Sequence, residues 1–194
     1  MKILGKIFGR NKKKQEPQLT ADELFAQRFT AKGGKFLYCT TEIEVQEAFR
    51  AIVNELGLYI KMSSNASPLI MNMFEEHTSL FGNPIEEANV YLSDCEYLIA
   101  SEGGIMLSSN QMKHKPIERM PETFIVFAKT SQMVQDISEG MRGLNKKYPM
   151  NQKPTGLYTL KNFTDDPEKN TVDTYGMKAK KTYLILLEDL PIAK

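Results

Sequence analysis

Apolar positions along the chain fall into two alternating rhythms, short continuous runs of strand length and longer stretches with spacings of three and four. Thr20 and Glu23 form a capping pattern ahead of Leu24, Phe25 and Phe29, predicting a helix over 21–31 that Gly33-Gly34 stops. Phe36-Leu-Tyr-Cys reads as a strand. Thr40 to Glu44 then opens a helix in which Val45, Ala48, Phe49, Ile52, Val53 and Leu56 share one face. Gly57 closes that helix, and Leu58 to Met62 is expected to be the next strand, completing a β-α-β unit. Ser67-Pro68 supplies an N-cap and first-turn proline for a helix carrying Leu69, Ile70, Met73 and Phe74, ending before Asn83-Pro84. The segment 85–96 is mixed, with Asn89 to Leu92 read as weak strand or turn.

Farther on, Tyr97-Leu-Ile-Ala and Ile105-Met-Leu-Ser-Ser flank a tight Ser101-Glu-Gly-Gly turn, and Phe124-Ile-Val-Phe-Ala is apolar throughout. Continuous runs of this kind suit a sheet covered on both faces. Ser131 is expected to cap a helix carrying Val134, Ile137, Met141 and Leu144. Pro149 to Pro154 reads as a loop, Leu157-Tyr-Thr-Leu as a strand and 161–181 as polar and loop-like, and Tyr183-Leu-Ile-Leu-Leu closes the sheet. The pattern predicts an α/β layered fold with a mainly parallel sheet, as one domain over 21–194 preceded by a basic, flexible tail over 1–20.

Composition narrows the class. At 194 residues, with 41% hydrophobic and 25% charged positions, the chain suits one folded domain. No run approaches the length of a membrane span, and the N-terminus lacks the apolar core and cleavage site of a secretory signal. Cys39 and Cys95 are the only cysteines, too few for a disulfide framework, which points to the cytoplasm. Two cysteines without a CxxC pair do not ligate an iron–sulfur cluster or form a cysteine-rich zinc site; both read as buried apolar residues. Residues 1–14 hold six of the 25 basic residues and no acidic one, leaving the body 19 basic against 24 acidic, a net −5. A net acidic body is poor material for a nucleic-acid groove, so no nucleic-acid partner is expected. The basic segment 1–14, with Ile3, Leu4, Ile7 and Phe8 at helical spacing, can rest on an anionic membrane surface; the plainer reading is a frayed, solubilising terminus.

Cys95-Glu-Tyr-Leu-Ile-Ala-Ser-Glu-Gly-Gly-Ile-Met-Leu-Ser-Ser, then Arg119-Met-Pro-Glu-Thr-Phe-Ile-Val-Phe-Ala and Ser131-Gln-Met-Val-Gln-Asp-Ile, resemble in order and spacing the blocks of the lactate-utilisation (LUD) domain family. That family reads A-x-T-G-[ST] between two strands, then an Arg and a Pro-Pro-x-His-Ile-Val-Val strand, then Ser-Gln-Ile-Val-x-Asp-[IL]. Gly33-Gly34-Lys35-Phe-Leu-Tyr-Cys and Tyr183-Leu-Ile-Leu-Leu-Glu-Asp resemble its two ends, so the likeness spans roughly 30–190. It implies a fold similar to the ribose-phosphate isomerase and CoA-transferase superfamily. It also implies a role beside iron–sulfur partner proteins that oxidise lactate to pyruvate, with the clusters in the partners and no cofactor in this chain. The sequence departs from the pattern at Glu102, which replaces the family's Thr. It departs again at Lys161-Asn-Phe-Thr-Asp-Asp-Pro-Glu-Lys and Met177-Lys-Ala-Lys, which stand where a Gly-Pro-Ser-Arg-Thr-Ala-Asp-Ile-Glu block and His-Gly-Pro-[RK] are expected.

Ligands of open α/β sheets bind outside the carboxyl ends of strands, where a glycine turn lets backbone approach an anion. Ser101, Gly103, Gly104, Ser108 and Ser109 are therefore candidate ligand-binding residues for a small carboxylate or phosphate, and the same glycines equally serve a tight connection. Glu102 is the candidate catalytic carboxylate, a general base for an isomerase or the nucleophile of a transferase; a solvated turn glutamate has the same sequence signature. Arg119 can bind an anion through its fork and Lys180 and Lys181 as point charges. His77 and His114 lack metal-ligand spacing, so no metal is expected. The functions in view are an accessory or ligand-binding subunit of a lactate-oxidising assembly, a small-anion isomerase or transferase, and a divergent non-catalytic adaptor.

Overall fold

The computed structural model describes residues 19–164 and 179–189. In chain order the elements are α1 (Ala21–Ala31), β1 (Lys35–Cys39), α2 (Glu42–Leu56), β2 (Met62–Ser64), α3 (Pro68–Met73), β3 (Val90–Asp94), β4 (Tyr97–Ile99), β5 (Gly104–Ser108), β6 (Thr123–Lys129), β7 (Met133–Val134), α4 (Ile137–Lys147), β8 (Leu157–Leu160) and β9 (Lys181–Leu187). The expected capping of α1 is present, with Thr20 N donating to Glu23 Oε2 at 2.9 Å. In α2 the Thr41 hydroxyl accepts from Glu44 N at 3.2 Å, satisfying one of the backbone donors orphaned at a helix start.

The fold is α/β with a mainly parallel central sheet. Its five strands lie in the order β1-β9-β6-β3-β2, every neighbouring pair parallel. The strand alternation sends Ile125 and Phe127 of β6 to one face and Phe124, Val126 and Ala128 to the other. On the first face Val45, Phe49 and Ile52 of α2 and Ile70 of α3 pack against Leu92, Ile125 and Ile185. The second face meets Phe25 and Phe29 of α1 together with Leu98, Ile105 and Leu107.

Those last residues belong to a separate sheet, and here the structure corrects the expectation of one. β4, β5, β7 and β8 form a four-stranded layer in the order β7-β4-β5-β8, with α4 packed through Leu144 against its far side at Ile99 and Met106. An apolar run shows that a strand is buried on both faces, but not which sheet it joins. Smaller differences have local causes. Leu58 and Tyr59 are 97% and 91% exposed, and the strand starts only at Met62, where pairing with Val90 begins. Asn89 to Leu92, read as weak strand or turn, falls largely in β3, which lies between β2 and β6 and is almost wholly buried. The helix expected from Ser131 begins at Ile137, because Asp136 Oδ1 caps it through Glu139 N at 2.8 Å. Ser131 instead donates its hydroxyl to Asp189 Oδ2 at 2.6 Å. The tail expected over 1–20 lies, up to residue 18, outside the described residues. No described helix is long and apolar enough to cross a membrane.

Phe49 tests the first face, because its buried ring stacks on Phe74 at 4.0 Å between centroids. Phe49→Ala is expected to lower the unfolding free energy by about 3–5 kcal/mol in urea titrations. A loss below ~1 kcal/mol would mean that this ring is not part of the packed interior.

Candidate functional site

The β4–β5 hairpin has two ends, and the residues expected to act together divide between them. Ser101, Glu102 and Gly103 make the turn, and Gly104 opens β5. Ser108 closes β5, four residues of extended chain or roughly 13 Å away. The turn also lies at the opposite end of the parallel sheet from the one expected. It packs on the C-terminal end of α1, which leads directly into β1, so it sits by the amino ends of the parallel strands. Gly103 has φ +57°, and a Cβ there would lie 2.5 Å from Phe29 N. This glycine is required both for its left-handed backbone and for close approach to α1.

Glu102 is held in that packing. Its main-chain oxygen accepts from Lys32 Nζ at 2.6 Å. Its Oε2, shielded from solvent, is ion-paired with Lys161 without the alignment of a hydrogen bond. Burial lowers the pKa of Lys32, Glu102 opposes that shift, and Lys161 and Arg28 add to it. Ser101 N donates to Gln135 O at 2.9 Å. Arg119 is exposed and precedes β6, again on the amino side. Lys180 is buried, its Nζ donating to Met120 O at 3.0 Å. The departing segment 161–181 contributes a bridge between Phe163 and Lys180, and its residues 165–178 lie outside the described residues.

The carboxyl ends of the parallel strands hold a second constellation, which the sequence reading missed apart from Ser108 and Ser109. After β2 the chain turns to α3 on one face; after the adjacent β3 it crosses to the second sheet on the other. Neighbouring strands whose connections diverge in this way open a crevice between them. Asp94 ends β3 at that crevice, and Asn65 follows β2, its Nδ2 donating to Asn110 O at 2.5 Å. The loop 109–116 is tied down there by Tyr91, whose hydroxyl donates to Gln111 O at 2.5 Å. Within it Lys113 and His114 are consecutive non-glycine residues at φ 48° and 58°, a costly backbone that His114 N fixes by donating to Ser109 O at 2.8 Å.

Glu96, just beyond Asp94, has a side chain with no exposed area. A buried carboxylate must collect donors. Glu96 Oε1 accepts from the Ser108 hydroxyl at 2.8 Å and the Tyr148 hydroxyl at 2.9 Å, and Oε2 accepts from Lys147 Nζ at 2.7 Å. Gln111 Oε1 accepts from Ser108 N at 2.7 Å. Burial raises the Asp94 pKa and the Glu96 charge adds to this, against the pull of Lys147 and Gln111. Burial works against the Lys147 ammonium, but its hydrogen bond to Glu96 and the Glu96 charge outweigh that and hold its pKa above the ordinary value. Ser109 serves the frame, its hydroxyl oxygen accepting from Thr155 N at 3.1 Å. Cys95 is buried, and burial with the Asp94 and Glu96 charges pushes its thiol far up, making it unreactive. Cys39 is likewise buried and pushed up to about 11 by burial and by Glu44. Among the described residues no group of three or more His, Cys, Asp or Glu side chains is placed to hold a metal ion.

The arrangement thus offers a carboxyl held toward its protonated form beside a cation anchored on a buried glutamate. The available signal was the pair Asp94 and Glu96 interrupting the apolar stretch 90–100, where charge is costly unless a site or a network uses it. The partners Gln111, Lys147 and Tyr148 come from distant segments and carry no local pattern.

A family model described as the LUD domain matches residues 23–187. The crystal structure of a DUF162 family protein from Deinococcus radiodurans matches with a TM-score of 0.60 at 16% identity, covering 89% of this chain and 100% of that one, a likeness of fold. No curated protein matches the sequence.

Two substitutions test this geometry. Gly103→Ala is expected to destabilise the protein by at least ~2 kcal/mol, since a left-handed alanine must also displace α1; an unchanged melting temperature would remove the packing role of the turn. For Asp94 the folded protein binds more protons than the unfolded chain above the ordinary value of 3.8, so this group makes stability fall as pH rises toward its folded pKa. Asp94→Asn is expected to flatten that part of the stability–pH curve, and a curve parallel to wild type would contradict the burial of Asp94.

Proposed function

This chain belongs to the LUD domain family, and from that premise we propose that it is a ligand-binding, accessory subunit of a lactate-utilisation system. In this reading iron–sulfur partner proteins carry the electrons from lactate to pyruvate, and the chain works beside them as one domain over 21–194 in the cytoplasm. The observation that carries the ligand-binding part is the Glu96 network. A fully buried carboxylate, satisfied by Ser108, Tyr148 and Lys147, fixes an ammonium at the carboxyl ends of a parallel sheet beside Asp94. Such a frame is costly to build into a core and suits a small polar ligand, a carboxylate or phosphate in the first instance.

The alternative in which Glu102 works as the carboxylate of an isomerase or transferase draws less support. Glu102 is better explained as the ion-paired tip of a packed turn, and Arg119 as an exposed charge at the same end of the sheet. The adaptor reading rests on residues 1–14, which lie outside the described residues.

Affinity capture of the tagged chain from its native cytoplasm, grown with and without lactate, tests the assembly. Iron–sulfur proteins are expected in the eluate, enriched on lactate. Recovery of the chain strictly alone under both conditions would overturn the reading.

A further inference from the structure

The edge of the central sheet at β1 carries exposed apolar side chains where the described chain starts. Among the described residues no strand pairs along the outer side of β1. At its carboxyl end Tyr38 is 48% exposed, Ile43 in the first turn of α2 is 68% exposed, and Leu19, just ahead of α1, is 44% exposed. Carboxylates gather at the same corner. The Tyr38 hydroxyl donates to Glu188 Oε2 at 2.7 Å, and Glu188 N donates to Cys39 O at 2.8 Å. Thr40 N donates to Glu44 Oε2 at 2.6 Å. The hydrogen bond to Glu188, then burial and the charges of Glu188 and Asp22, push the Tyr38 phenol up to about 12, which places Asp22 of α1 beside this edge as well. Glu42 precedes Ile43 and Asp189 follows Glu188; Lys129, at the end of β6, acts on Asp189. Among the described residues Asp22, Glu42, Glu44, Glu188 and Asp189 form no ion pair.

We propose that residues 1–18 of this chain dock back on this corner, Ile3, Leu4, Ile7 and Phe8 covering the apolar side chains and Lys12, Lys13 and Lys14 meeting the carboxylates. Residues 1–18 lie outside the described ones, and their composition is complementary to the surface where they join it. They hold six basic residues and one acid, Glu16, for a net +5, together with those four large apolar side chains. The corner offers the opposite charge and exposed apolar area. The tether makes the encounter local. From Leu19 to Lys14 the chain spans at most ~18 Å, and Asp22 lies about one helical turn beyond Leu19. A short tether gives the second contact a high effective concentration, so ion pairs that are individually weak at a surface suffice.

Charge decides between this occupant and others. An anionic membrane attracts residues 1–14 but is repelled by the carboxylates beside their point of attachment. A second copy of the chain brings the same acidic body and the same acidic corner. Residues 190–194 also leave from here, after Asp189, but Leu-Pro-Ile-Ala-Lys brings a single basic residue to five acids. The docking uses no residue of the Glu96 network, so it stands or falls independently of the proposed function.

A nitroxide spin label on the full chain tests the docking by nuclear magnetic resonance. Gly9→Cys supplies the one accessible thiol, since Cys39 and Cys95 are buried. At low salt the Tyr38, Ile43 and Glu188 amides are expected to broaden, while Leu58 and Met150, exposed apolar residues outside the corner, keep their signals. Most of that broadening is expected to disappear in about 1 M NaCl, where the screening length falls to ~3 Å. It should also disappear when Lys12, Lys13 and Lys14 are all changed to Gln, and in the double variant Asp22→Asn, Glu42→Gln, whose two sites are exposed. Broadening that survives salt and both variants would show only the reach of the tether and would overturn the proposal, as would no broadening at all. Three further results would overturn it by naming another occupant. Broadening of an unlabelled, isotope-enriched chain by spin-labelled neighbours in a mixed sample would put a second copy on the corner. Broadening from a label at Ile192→Cys but not from Gly9→Cys would put residues 190–194 there. Sedimentation with phosphatidylglycerol vesicles, with no broadening at the corner in the free protein, would assign residues 1–14 to a membrane.

Discussion

A parallel sheet has to be covered on both faces, and the way this chain meets that requirement determines where its polar groups gather. Helices α2 and α3 cover one face in the ordinary manner, burying Val45, Phe49, Ile52 and Ile70. The other face is covered mainly by a second sheet, and the chain reaches it by crossing over directly from the carboxyl ends of β3 and β6. Two adjacent strands therefore leave the central sheet on the same side, while β2 leaves on the opposite side. The crevice at Asp94 is a consequence of that layering, and so is its filling by the loop 109–116, which must return from the second sheet to β6.

The same crossover explains why a glutamate is buried where the two sheets join. Gln132, following β6, donates to Cys95 O at 2.6 Å and so ties the two crossings together. Glu96 then enters the space under the end of α4 with no exposed side-chain area. Removing a carboxylate from water costs several kcal/mol unless hydrogen bonds and an opposite charge offset it. Here the offset comes from two separate segments: β5 through Ser108, and the end of α4 through Lys147 with Tyr148 just after it. An apolar residue at 96 would remove the need for all three and would suit stability as well or better. The network is therefore hard to account for as a device for stability alone, while its effect on Lys147 is specific, because it fixes the position of an ammonium that would otherwise be mobile on a surface helix end.

Much of this architecture could be read from residue spacing, and what could not has definite causes. The capping pair Thr20 and Glu23, the stripe Val45, Phe49, Ile52 and the wholly apolar Phe124–Ala128 each encode a local element, and each element formed there. The partition into two sheets was not legible, since Tyr97–Ile99 and Phe124–Ala128 are both apolar runs and only long-range pairing distinguishes them. The end of the sheet on which the glycine turn falls was not legible for the same reason: it depends on the direction of β4, which runs back along the layer it has just joined. The helix start misplaced at Ser131 shows how caps compete. Ser131 and Asp136 are both good N-caps, and Asp189, a residue 58 positions away, engages the Ser131 hydroxyl.

Glu96 and Glu102 sharpen the point about chemistry. They flank the same short strand β4, and a reading by residue type favours Glu102, because it adjoins two glycines of the kind that cradle ligands. Burial reverses the order. Glu102 lies at a turn whose glycine is spoken for by α1, and its charge is met by a nearby lysine at a partly exposed surface. Glu96 lies inside, and its charge is met by groups that had to be brought from two distant segments of chain. An ion pair at the surface is cheap and contributes little, whereas a buried one organises everything it touches. The more informative carboxylate is thus the one whose surroundings had to be assembled for it, and those surroundings exist only in three dimensions.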